Sequence, residues 1–262
     1  MAKPASAYAR HTAAGSDTFT TPVGTAITLV LISFFILVIL LTLSIYLTPF
    51  GISSALTSLF LWSIIAILVW SNRRHHLFAN FGSANVVTST RAAITALMAG
   101  FIPIAAQIPS DAWLWTIALV ATITLCLDGL DGYLARKSNL CSEFGSRFDM
   151  EIDALLALVI TLFIWQTEKV GIWILALGLM RYLFLGAAIW LDFLKAPLYP
   201  SMRRKTLCVV QVGALCLMLC PLLSASQLTI VGAIALAGLT ASFAIDVLWL
   251  SRQHTIGSNR HK

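Results

Sequence analysis

The stretch Ala121–Ile160, ATITLCLDGLDGYLARKSNLCSEFGSRFDMEIDALLALVI, decides how the whole chain is read. Its two ends are apolar, while its middle carries six of the protein's eleven acidic residues: Asp128, Asp131, Glu143, Asp149, Glu151 and Asp153. Asp128 and Asp131 are three apart, and Asp149 and Asp153 are four apart. Each pair therefore shares one face of its own helix. The apolar runs on either side put these carboxylates at the mouths of two membrane helices joined by a short loop. Ionisable groups in such a place are functional by default.

Outward from this stretch the chain stays apolar. Of its 262 residues 59% are hydrophobic and 11% charged. That charged share is less than half of the usual ~25% of a soluble domain. From Thr18 to Asn72 there is no acidic or basic residue. The pattern predicts an all-α, polytopic membrane protein with spans near 24–47, 52–70, 85–106, 112–133, 148–167, 171–191, 206–223 and 227–250. Pro and Gly in Thr48-Pro49-Phe50-Gly51 punctuate the first two. The first apolar run is too long for a signal-peptide core and is expected to remain as a helix.

Charge sets an orientation. Basic residues gather on alternate connections: Arg73 and Arg74; Arg136, Lys137 and Arg147; Lys195, Arg203, Arg204 and Lys205. The tails are basic as well, and the other connections carry only Lys169, beside Glu168. The positive-inside rule then places both termini and the acidic cluster on the cytoplasmic side, across eight spans. The formal charge of +6 follows from topology and anionic-lipid contact, with the bilayer as partner and no nucleic-acid footprint. Five cysteines, four of them inside expected spans, are not a disulfide framework. Cys216 and Cys220 lack the companions of a zinc site and are expected in the core.

Carboxylates without histidine or thiolate suit hard cations such as Mg²⁺, Mn²⁺ or Ca²⁺. Four of them from two helices can bridge two ions, and ions about 3.5–4 Å apart can clamp a phosphate during displacement. Gly132 and Gly145 remove side chains where a bulky ligand approaches the backbone. Arg136, one and a half turns from Asp131, is placed to neutralise a phosphate oxygen. The alternative is an interfacial salt-bridge net with Arg91, Arg136, Lys137 and Arg147.

The run from Asp128 to Asp153 resembles the signature of the CDP-alcohol phosphotransferase family, D-x2-D-G-x2-A-R-x8-G-x3-D-x3-D, at all eight fixed positions. Upstream, Asn85-Val-Val-Thr88-Ser-Thr-Arg91 is similar to the N-x-x-T-x-x-R segment that opens the family's first core helix. The resemblance implies a six-helix core over 85–250. It follows a polar tail (1–23), a two-helix transmembrane extension (24–70) and an amphipathic interfacial segment (71–84), and it precedes a basic tail (251–262). It also implies metal binding by Asp128, Asp131, Asp149 and Asp153, with Asp153 as general base. Gly132, Ala135 and Gly145 match positions that make room for the cytidine nucleotide, and Asn85, Thr88 and Arg136 match positions near the donor's diphosphate. The implied reaction is transfer of a substituted phosphoryl group from a CDP-alcohol to a hydroxyl acceptor, with release of CMP and with Mg²⁺ or Mn²⁺ as cofactor. Members of the family often form dimers.

Three features lie outside the signature. Arg181, in the middle of an expected span, reads as an anion partner facing the interior, with snorkelling as the alternative. Arg203, Arg204 and Lys205 open the next span and read either as positive-inside anchors or as ligand contacts, with Arg204 and Lys205 the candidates for acceptor binding. Arg204, Leu207 and Cys208 depart from the glycerophosphate-using pattern G-K-x-K-T-x-x-Q. Asp246 reads as a partner of Arg181, as the cap of a polar cavity or as an interfacial residue. The expected protein is thus a phosphatidyltransferase of the bacterial cytoplasmic membrane, with CDP-diacylglycerol as donor and a small polyol or polyol phosphate as acceptor. The rivals are an aminoalcohol phosphotransferase with a diacylglycerol acceptor and, from another class, a divalent-cation transporter.

Overall fold

Runs without a charged side chain become uninterrupted helices: α1 spans Pro22–Leu47 and α2 spans Ile52–Asn72. Proline opens α1, where its missing N–H has no intrahelical partner to lose. The structure, a computed structural model, describes residues 22–48, 51–72, 83–107, 111–137, 143–196, 199 and 201–259. Within those helices the side chains of 22–23, 25, 72, 83–85, 106–107, 130–137, 143–146, 195, 205 and 254–259 are not described. The expected tail over 1–21, most of the amphipathic segment (73–82) and the loop over 138–142 lie outside the described residues.

Six more α-helices follow. α3 (Ser83–Phe101) passes into a 3-10 stretch over Ile102–Gln107. Pro103 lies in that stretch, and its missing N–H cannot extend the α-helical ladder. α4 is Asp111–Lys137 and α5 is Glu143–Gln166. At the end of α5 the N–H groups of Thr167 and Glu168 donate to the carbonyls of Ile164 and Trp165. Glu168 then turns the chain with φ at 57°, in the left-handed region. A 3-10 turn, Ile172–Ile174, leads into α6 (Leu175–Trp190). α7 is Met202–Leu219 and α8 is Ala225–Asn259. The expected all-α architecture is what forms, and no strand occurs among the described residues.

Hydropathy located each helix better than it located its ends. α4 runs to Lys137 rather than 133, α5 starts at Glu143 rather than 148, and α8 runs to Asn259 rather than 250. Apolarity marks where lipid begins and ends. A helix continues past that point into water until a glycine, a proline or a competing cap stops it. As a result, every fixed position of the acidic signature stands on α4 or α5.

Six described helical stretches are long and apolar enough to cross a membrane, so this is an integral membrane protein. α5 and α7 fall outside that group because charged residues crowd their first turns. The centre of the assembly is α3, which packs against α1, α2, α4 and α5. Its contact residues are small: Ser89, Ala92, Ala93, Thr95 and Ala96 are all fully buried. Small side chains let backbones approach closely, which is the main source of helix association where lipid is as apolar as leucine.

The outer helices are fixed by a few specific contacts. Gly178 of α6 sits so close to α5 that a Cβ there would lie 2.6 Å from the Leu158 Cα and 2.5 Å from the Thr161 hydroxyl. Gln211 of α7 donates to the Leu177 carbonyl of α6 at 2.6 Å. Trp62 of α2 donates to the Ser33 hydroxyl of α1 at 3.1 Å. Cys216 is buried in the core and Cys220 packs against it, as expected.

Candidate active site

Three of the four signature aspartates come together across two helices. α4 contributes Asp128, and α5 contributes Asp149 and Asp153 one turn apart. One carboxylate oxygen from each lies within 4.8 Å of the others. Three like charges that close repel strongly, and something positive must stand among them. In this structure it is Arg91 of α3. Its Nη1 lies 2.9 Å from an Asp128 oxygen and also donates to Asp149, while its Nη2 donates to Asp153.

Burial separates the roles of these groups. The Arg91 side chain is 0% exposed, whereas those of Asp128, Asp149 and Asp153 are 21%, 32% and 18% exposed. The arginine therefore supports the carboxylates from the protein side, and the carboxylates keep a face open to a ligand. Thr88 is buried one turn before Arg91 on the same face of α3. Three oxygen donors with no nitrogen or sulfur among them fit a hard divalent cation.

The side chains of Asn85, Asp131, Gly132, Ala135, Arg136, Gly145 and Lys205 lie outside the described residues. Their backbones place Asn85 on α3, Asp131 to Arg136 on α4, Gly145 on α5 and Lys205 on α7.

The remaining intramembrane charges pair in a way the sequence left open. Arg181 meets Glu151 of α5, its Nη2 donating to one carboxylate oxygen and its Nε lying 3.4 Å from the other. Asp246 is buried and belongs not to Arg181 but to α7. Arg203 reaches it at 2.5 Å, and Arg204 lies 3.7 Å away. Arg203 also donates to the Ser242 carbonyl at 3.0 Å, so two bonds tie α7 to α8. Arg204 donates to the Tyr199 carbonyl and stands 5.5 Å from the centre of that ring, which in turn packs on Trp249.

The sequence shows Arg91 only as one member of a motif and of a possible salt net, gives Glu151 no role, and gives Arg203 no part in pairing with Asp246. A charged residue in an otherwise apolar, alanine-rich helix was the available signal for Arg91. Two of its partners lie 58 and 62 residues further along the chain, and no local pattern reports a contact of that range.

With this geometry in place, comparison with known families gives a definite answer. A family model described as CDP-alcohol phosphatidyltransferase matches residues 81–242, more than half of the chain, and the protein belongs to that family. It is accordingly a membrane transferase of phospholipid synthesis that moves a substituted phosphate group from a CDP-alcohol to an alcohol. The activity of the family is group transfer, not the cation transport that the sequence leaves as a rival reading. No curated protein and no solved structure matches the chain.

Proposed function

We propose that this transferase uses CDP-diacylglycerol as donor and a small hydroxylated acceptor, a polyol or polyol phosphate, and releases CMP. The observation that carries the proposal is the convergence of Asp128, Asp149 and Asp153 on one partly exposed point, held from behind by a buried arginine. Asp128, Asp131, Asp149 and Asp153 would hold two divalent cations, Mg²⁺ or Mn²⁺, whose charge neutralises the donor's diphosphate and favours departure of CMP.

The chain's own residues bind, orient and move a proton. Asn85, Thr88 and Arg136 orient the diphosphate, while Gly132, Ala135 and Gly145 leave room for the cytidine. Asp153 receives the proton of the acceptor hydroxyl. The hydroxyl oxygen forms a bond to the phosphorus that carries diacylglycerol. The bond from that phosphorus to the bridging oxygen breaks, and CMP leaves with its electron pair. Positioning and charge neutralisation contribute most of the rate in such displacements, with little demand for covalent help. Arg181, Arg204 and Lys205 line the approach of the acceptor.

The proposed setting is a bacterial cytoplasmic membrane crossed by all eight helices, with both termini and the site on the cytoplasmic face, as the alternating basic connections suggest. The six-helix core over 85–250 carries the chemistry, α1 and α2 are accessory to it, and the working form is a homodimer. A second arrangement keeps the same site but exchanges the substrates: a CDP-linked aminoalcohol as donor and diacylglycerol as acceptor. It draws support from Glu151 and Asp246, whose carboxylates offset the charge of Arg181 and Arg203 and would tolerate a cationic head group.

The test is CMP release by the detergent-purified protein, from CDP-diacylglycerol with Mg²⁺ or Mn²⁺, across unphosphorylated and phosphorylated alcohols. Acceptor-dependent release that EDTA abolishes supports the proposal and names the acceptor. Silence there, with turnover of CDP-choline or CDP-ethanolamine and diacylglycerol, overturns it in favour of the second arrangement.

A further inference from the structure

Arg91 stands apart from every other charged group described in the protein: it is fully buried, it touches three carboxylates at once, and it comes from the helix with the most extensive packing. We propose that Arg91 is a positioning residue that acts as a resident cation, holding the three aspartates converged so that the metal site is already assembled when no divalent ion is bound. The inference rests on the assignment of Asp128, Asp149 and Asp153 as metal ligands and adds a part for a residue outside the acidic signature.

The argument starts from charge. Three carboxylates against one guanidinium leave two negative charges among the described groups, the charge of a single divalent ion. Without the guanidinium, mutual repulsion would splay apart oxygens that lie within 4.8 Å of one another. A guanidinium suits this task better than an ammonium. It is planar, stays charged at any physiological pH, and directs several N–H groups outward in a fixed fork. Here the fork is divided, with Nη1 serving Asp128 and Asp149 and Nη2 serving Asp153, so it links α4 to α5 through α3.

The base of the fork is also held in place. Ser89, Ala92, Ala93 and Ala96 around it are fully buried, and the Thr95 hydroxyl donates to the Arg91 carbonyl at 2.8 Å. The side chain cannot swing out to water without unpacking α3 from its neighbours. Solvent and incoming ligand meet the opposite, exposed face of the carboxylates. An ion can therefore dock on that face while the arginine keeps its own.

The experiment is thermal unfolding of the detergent-purified full chain, in EDTA and in saturating Mg²⁺ or Mn²⁺, for wild type, Arg91→Met and Arg91→Lys. No substrate is needed. Removing one partner from a buried charge cluster is strongly destabilising, and Arg91→Met should lower Tm in EDTA by roughly 10 °C. Because its ligands are no longer preassembled, the variant should bind the ion more weakly, and by mass action the same metal concentration should raise its Tm by less than it raises that of wild type. Arg91→Lys, a point charge without the fork, should fall between the two. The half-saturating Mn²⁺ concentration, read by electron paramagnetic resonance, should rise by about tenfold or more in Arg91→Met, since its ligands are no longer preassembled.

If the metal shifts Tm equally in wild type and both variants, and Mn²⁺ affinity is unchanged, Arg91 is only a packing residue and the inference is overturned. If the metal shifts none of the proteins, wild type included, the metal-ligand assignment fails and the inference fails with it. Should Arg91→Met not fold at all, Arg91→Lys decides the matter: a metal response and Mn²⁺ affinity equal to wild type overturn the proposal.

Discussion

Helices α1 and α3 lie against each other, yet they are made of opposite kinds of residue. α1 is leucine, isoleucine, valine and phenylalanine with no charge, and only 22% of its most apolar window is buried in protein. α3 is alanine, serine and threonine with an arginine, and 67% of its window is buried. Large side chains such as Leu31, Phe35 and Tyr46 of α1 are more than half exposed. In water the most apolar helix would be the core. In a bilayer lipid already solvates leucine, so apolarity gives a helix no reason to seek protein. Small and polar residues do, because close packing and hydrogen bonds are available only from other helices.

This contrast can be tested by changing residues on each side of it. The largest expected effect lies at the polar centre. Asp153→Asn keeps the size of the side chain but cannot accept the acceptor's proton, and CMP release should fall by about a thousandfold. A variant with near-normal turnover would remove Asp153 from the role of base. Next comes Gly178→Leu. The Leu158 backbone 2.6 Å from the added Cβ cannot yield as a flexible side chain could, so the variant should lose about 3 kcal/mol or more of stability or fail to assemble. Detergent-resistant folding with unchanged Tm would show that α6 does not pack on α5 as described.

Ala96→Leu on the fully buried face of α3 should cost about 1–3 kcal/mol by overpacking, read as a fall in Tm. The smallest effect belongs to α1. Phe35 is 67% exposed, and Phe35→Ala should change stability by less than about 0.5 kcal/mol. A loss comparable to that of Ala96→Leu would mean that this face of α1 meets protein, such as a second copy of the chain, rather than lipid.

The same contrast explains what is legible in the sequence. Long apolar runs announce the helices, and helical spacing places Asp128 with Asp131, and Asp149 with Asp153, on one face of each helix. Both are local patterns with a fixed period. Helix ends were less legible, because α4, α5 and α8 continue beyond the apolar zone that announces them. Ion-pair partners were least legible. Asp246 offered Arg181 as one candidate, but it pairs with Arg203, 43 residues away, while Arg181 pairs with Glu151. Which helix faces which is fixed by packing among all eight, and a single sequence does not display that choice.

The depth at which Arg91 sits also bears on how the protein is made. α3 leaves the ribosome before its partners do, since Asp153 is 62 residues further on. At about 5–20 residues per second that interval lasts roughly 3–12 s. During it, an arginine in a span costs up to about 3 kcal/mol on insertion scales, and α3 is the least apolar of the six candidate spans. The helices synthesised before it are the very ones it packs against on one side, α1 and α2. Gene order within the chain thus doubles as an assembly schedule: two greasy helices enter first and offer a protein surface, and the reluctant third leans on them until its acidic counterparts arrive.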